Sequence, residues 1–92
     1  MIDIKNFRKY ALENLKKIDV GNKIELLTFK KDRKVTIEKI DQDIFNVIQD
    51  GFEYKQFYNL DSKKLEKALK QIQRAEFPRS NKVFLKIIKW KK

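Results

Sequence analysis

Ninety-two residues with a formal net charge of +10 make one small, strongly basic domain, of a size that buries about 60–65% of its unfolded surface. The chain has no cysteine and no histidine. That excludes disulfides, thiolate nucleophiles, zinc ribbons and the Ser-His-Asp and Cys-His constellations, and no metal or cofactor is expected.

In chain order, Asp3 stands where a first helix needs a cap. Ile4, Phe7, Ala11, Leu15 and Ile18 follow at spacings that keep them within about 80° of one another, one apolar stripe. Gly21 is placed to end that helix at the C′ position. Residues 23–30, KIELLTFK, read as a strand, KDR at 31–33 as a turn, and 34–40 as a second strand with Val35 and Ile37 alternating against Thr36 and Glu38. The DQD triplet at 41–43 turns the chain into a third strand, 44–49. Asp50-Gly51 is a strong hairpin dipeptide and leads to a fourth strand, 52–58. Asp61 then caps a second helix, with Leu60 and Leu65 set to form a hydrophobic staple. Leu65, Ala68, Leu69, Ile72 and Ala75 form its apolar stripe. Pro78 disfavours the α region at Phe77 and stops the helix sharply. The last element, 82–90, alternates as a strand. The order α-β-β-β-β-α-β implies a single α+β domain, an antiparallel sheet with helices packed on one face.

Charges interrupt every turn of the N-terminal stretch, so it does not read as a signal peptide. No apolar run approaches the roughly 20 residues of a membrane span. A cytoplasmic protein with no membrane partner is expected. The positive charge is uneven: residues 1–60 hold twelve Lys/Arg against ten Asp/Glu, and residues 61–92 hold eleven against three. A lysine-rich, thermophilic proteome accounts for the number of lysines. It does not account for their asymmetry, which suits a polyanionic partner.

Two features carry that expectation. On the second helix Lys63, Lys67, Lys70 and Arg74 fall within about 60° of each other, opposite the leucine stripe, with Glu66 only at the strip's edge. On the last strand Val83, Leu85 and Ile87 form one face, the expected core set. Lys82, Phe84, Lys86, Ile88 and Trp90 form the other. Lysines that meet successive phosphates, interleaved with aromatics that stack on bases, suit a single-stranded nucleic acid. Phe52, Tyr54 and Tyr58 make a similar one-sided set on the fourth strand. Arg79, Ser80, Asn81 and Lys82 fill the corner after Pro78 with donors that suit a phosphate. A solvated lysine face and ordinary core aromatics are the alternative reading of the same residues.

The helix, the four-strand meander and the basic helix ending in RAEFPRSNKV (74–83) resemble the small archaeal ThermoDBP-related single-stranded-DNA-binding proteins. That resemblance implies a homodimer or higher oligomer holding a single strand against an aromatic and basic sheet surface. Single-stranded DNA, ahead of RNA, is thus the expected partner, and binding without catalysis the expected function. Two alternatives are an interaction module, such as a ribonucleoprotein accessory subunit, and a metal-dependent nuclease. The nuclease reading rests on Glu53-Tyr54-Lys55 with Asp41 and Asp43. With Lys and Arg at a quarter of the chain, an acid two residues before Lys arises readily by chance.

Overall fold

A two-residue strand, β1 (Ile2–Asp3), precedes a 3-10 turn (Ile4–Asn6) and helix α1 (Phe7–Lys17). Strands β2 (Lys23–Thr28), β3 (Lys34–Asp41), β4 (Ile44–Asp50) and β5 (Tyr54–Leu60) follow as a meander, then helix α2 (Ser62–Glu76) and strand β6 (Lys82–Ile88). The computed structural model describes residues 2–28, 33–51, 54–76 and 82–88, and every side chain within them except those of Ile2, Ile4, Thr28, Ala75, Glu76 and Lys82. The sheet order is β1-β6-β2-β3-β4-β5, antiparallel throughout. The α+β order expected from the sequence is therefore the one observed, with β1 added at the edge. The fifth strand of the main sheet does not extend the meander: after α2 the chain returns and pairs on the far side of β2.

Both helices lie on one sheet face. Phe7, Ala11 and Leu15 of α1 and Leu65, Leu69 and Ile72 of α2 are buried against Ile24, Leu26, Val35, Ile37, Phe45, Val47 and Val83. Fully burying each of these large aliphatic or aromatic side chains is worth about 1.5–3 kcal/mol. Both stripes read from the sequence are the ones buried, apart from Ile4 and Ala75, whose side chains lie outside the description.

Several local expectations need correction. Asp3 caps the helical run at its 3-10 start, its Oδ1 accepting from the Lys5 N–H at 3.0 Å, and not α1 itself, whose N-cap is Asn6 and makes no side-chain cap bond. Gly21 is not the C′ residue. The C-cap is Ile18, which leaves α1 in an extended conformation and drops its side chain into the core. Gly21 comes later, in the turn into β2, with φ +96 and its N–H donating to Lys39 O at 2.7 Å. Asp50 pairs with Tyr54, so three residues rather than two span the β4–β5 hairpin. The cap of α2 is as read: the Lys64 N–H donates to Asp61 Oδ1 at 2.9 Å, and Leu60 and Leu65 both join the core. Helix α2 ends at Glu76, two residues before Pro78, which fits the restriction proline places on its predecessor. Phe52, Pro78, Arg79 and Trp90 lie outside the described residues.

A bulge sits where β4 meets β5. Phe45 pairs with Leu60 and Val47 with Phe57, so Asn46 faces both Tyr58 and Asn59. Asn59 takes φ 57, and its N–H donates to Asn46 Oδ1 at 3.1 Å. Under strict alternation Leu60 would fall on the face away from the helices. The extra residue returns it to the core face, next to the start of α2.

Candidate nucleic-acid interface

Lys63, Lys67, Lys70 and Arg74 are all exposed on α2, on the side directly opposite buried Leu65, Leu69 and Ile72. The Asp61 cap fixes where the helix begins, and the buried stripe fixes its rotation, so the cationic strip points straight away from the sheet. Helix α1 adds to it. Arg8, Lys9, Lys16 and Lys17 stand against Glu13 alone on α1, a net of +3; on α2 five Lys/Arg stand against two Glu, again +3. The helices thus carry +6 of the chain's +10, while the six strands together carry +1. Lys16, near the end of α1, and Lys63, near the start of α2, line one shared cleft. Sequence reading of the second helix alone missed Lys16. The available signal was the one-sided charge of α1, which becomes useful once the two helices are known to share a face.

The other sheet face is uncovered by either helix. Across β6, β2, β3, β4 and β5 the strand register builds two rows on it, Phe84–Leu27–Lys34–Asp50–Tyr54 and Lys86–Glu25–Thr36–Ile48–Gln56. A third row runs Ile88–Lys23–Glu38–Asn46. Every lysine in these rows has an acid beside it: Lys86 opposite Glu25, Lys23 opposite Glu38, Lys34 opposite Asp50. Lys34 also reaches Glu25 across the diagonal, Nζ to Oε2 at 3.4 Å. Cross-strand neighbours of opposite sign neutralise each other locally, so this face is nearly neutral.

The sequence-based site residues are therefore divided. Lys63, Lys67, Lys70 and Arg74 come together on the helix layer. Phe84 and Lys86 lie on the opposite face of the sheet, because Val83 and Leu85 take the side that the helix layer covers. The basic strip of α2 and the lysine/aromatic side of the last strand are thus two separate surfaces. Lys86 alternates with apolar residues along its strand as expected, but the strand alone could not reveal Glu25 beside it. Ile87, expected in the core, is 46% exposed although it shares a face with Val83 and Leu85. Lys82 opens β6 opposite Asp3.

Tyr54 and Tyr58 are 64% and 57% exposed on β5. Gln56 joins them: its Nε2 donates to the Tyr54 hydroxyl at 2.8 Å, and the Tyr58 hydroxyl donates to its Oε1. From β5 to β6 is four strand spacings, about 19 Å. The tyrosines and Phe84 hence make two separate aromatic edges.

The nuclease geometry is not assembled. Asp41 and Asp43 stand at the β3–β4 turn, while Tyr54 and Lys55 pair with the far end of β4, about 20 Å along the strand. Glu53 lies outside the described residues, and no cluster of three or more His, Cys, Asp or Glu suited to a metal occurs among the described residues. Among them, too, no helix is long and apolar enough to cross a membrane. Comparison with family models, curated proteins and solved structures finds no match to this chain.

Proposed function

We propose that this chain binds nucleic acid without catalysing a reaction, tracking phosphates along its helix layer. The observation that carries the reading is the exposed strip Lys63–Lys67–Lys70–Arg74 on α2, rotated directly away from the core and free of acids along its length. Like charges at these spacings repel by a few tenths of a kcal/mol per pair, a cost that a polyanion removes. Single strands are favoured over duplex, and DNA over RNA. The resemblance of residues 74–83 to the archaeal single-strand binders supports that preference, as does a strip short enough to follow a few phosphates. Four neutralised phosphates on a single strand give log K against log salt a slope near −3. Titration of a fluorescent oligo-dT at several salt concentrations tests this, with duplex and oligo-rU as comparisons. Absence of binding at about 50 mM salt, where phosphate contacts are strongest, would falsify the reading.

A second reading, a protein-interaction module, draws support from the uncovered sheet face. There Leu27, Ile48 and Phe84 lie among balanced charges, and among the described residues β6 has no strand neighbour beyond Val83 on its outer side. Self-association into a homodimer belongs to this reading. Emission from Trp90, the single tryptophan, that shifts to the red on dilution supports it. Emission that ignores protein concentration but is quenched by oligonucleotide supports the first.

A further inference from the structure

Between α1 and α2, closed at one end by the β3–β4 turn, lies a cleft of about 350 Å³. Leu12 and Phe45 form apolar walls, Asp43 and Glu66 supply carboxylates, and Lys16 and Lys63 supply one cation from each helix. Asp43 is held in place by Ser62, whose hydroxyl donates to Oδ1. We propose that this cleft takes one unstacked guanine from a single strand bound along the helix layer. The inference rests on the nucleic-acid reading above and deepens it from phosphate tracking to a base preference.

Each wall of the cleft fits. The volume is at the lower end of small-ligand sites, suited to a single nucleotide rather than a folded partner. Half-buried Leu12 presents an apolar surface against which the face of a base lies, and the buried ring of Phe45 closes the cleft from below. Ionised carboxylates only accept hydrogen bonds, so the base they favour must present donors. Guanine offers two adjacent donors, N1–H and the N2 amine, on its Watson–Crick edge, and one carboxylate can accept both; that of Glu66 takes this role, since Asp43 Oδ1 already accepts from Ser62. Thymine offers a single N–H between two carbonyls, which a carboxylate repels. Adenine and cytosine each set one amine beside an acceptor nitrogen. Lys16 and Lys63 supply cations for the phosphates on either side of the inserted nucleotide, and they offset the two acids that would otherwise repel the strand. An inorganic anion leaves the carboxylates unexplained, and a bare cation leaves the lysines unexplained. The base of a single strand needs only unstacking, without loss of a paired partner, to enter.

The test uses three labelled oligonucleotides of about twelve nucleotides, within the range one small domain covers. One is oligo-dT, one carries a single central dG, and one carries an abasic site at that position. Wild-type protein is expected to bind the dG strand about tenfold more tightly than oligo-dT, in line with one good bidentate base contact. The abasic strand is expected to bind no better than oligo-dT. Glu66 is exposed, so Glu66→Gln leaves the fold intact. The variant is expected to bind oligo-dT as well as or better than wild type, since a negative charge is gone, and to lose the dG preference. Lys67→Ala with Lys70→Ala is expected to weaken all three strands alike and keep their ratio. Equal binding of the three strands by wild type, or a dG preference that survives Glu66→Gln, overturns the cleft assignment and leaves phosphate tracking standing. If none of the three strands binds, the underlying nucleic-acid reading fails instead.

Discussion

Lys39 Nζ donates to the carbonyl oxygen of Ile18 at 2.9 Å, with the lysine 5% exposed. Ile18 is the C-cap of α1, so a cation from the sheet meets the end of the helix where unpaired carbonyls gather and the dipole is negative. The same strand residue uses its backbone to hold the following turn: Lys39 N–H donates to Asn22 O at 3.0 Å, and Lys39 O accepts from Gly21 N–H.

Lys39→Met keeps most of the aliphatic stem but leaves the Ile18 carbonyl without its buried donor. The expected cost is about 1–3 kcal/mol. Each kcal/mol lowers the thermal midpoint by roughly 4–8 °C in a domain of this size. Differential scanning calorimetry measures it. Oligonucleotide affinity at 25 °C is expected to be unchanged, because Lys39 faces the core and not the helix surface. A midpoint equal to wild type would mean that the bond contributes nothing to α1.

The bulge makes a separate demand on residue 59. Asn59→Val puts a β-branched side chain into a left-handed conformation and is expected to cost about 1–2 kcal/mol. Asn59→Gly, which adopts φ 57 freely, is expected to stay within about 0.5 kcal/mol of wild type. Urea denaturation of both variants checks the pair, and equal loss in both would point to the side chain rather than the backbone as the stabilising element.

If the helix layer tracks phosphates, lysines are distinguished by their address. Lys67→Ala with Lys70→Ala is expected to reduce the salt slope by about 1.4, close to 0.7 per lost single-strand contact. Lys86→Ala is expected to change it by less than about 0.3, since Lys86 faces Glu25 on the other side of the sheet. Binding titrations at four salt concentrations separate the two. A larger effect from Lys86 would move the interface to the sheet.

Tyr54→Ala and Tyr58→Ala ask the same question of the aromatics. If bases stacked there, each change would cost about 1–3 kcal/mol of binding. With the strand on the helix layer, affinity is expected to stay within about twofold of wild type. Thermal stability should change little as well, because both rings are mostly exposed. A tenfold loss would assign the tyrosines to the nucleic-acid site.

Much of the architecture was legible because it is encoded locally. Helix α2 could be read from its Asp61 cap, its leucine stripe and the proline two residues past its end, all within one short segment. The meander followed from alternation and turn residues. What escaped reading was nonlocal. Whether Lys86 is a free charge depends on Glu25, some sixty residues earlier, and on β6 choosing β2 as its neighbour. The bulge at Asn59 shows up only in the register with β4. Lys16 and Lys63 share a cleft because the end of α1 meets the start of α2, and neither helix states that alone. Alternation correctly separated Phe84, Lys86 and Ile88 from Val83, Leu85 and Ile87. It could not say which of those sets would share a side with the basic helix.

The separation of charge between layers also shapes how the molecule approaches a partner. A slab with +6 on its helices and +1 on its strands has an electric moment roughly normal to the sheet. Near an anionic polymer that moment exerts a torque, turning the domain helices first before any contact forms and raising the fraction of collisions that are productive. Successive copies along one strand would arrive in the same attitude, each turning its charge-balanced side outward. The coated polymer would then show its surroundings a surface with little net potential, even though every bound molecule is strongly basic.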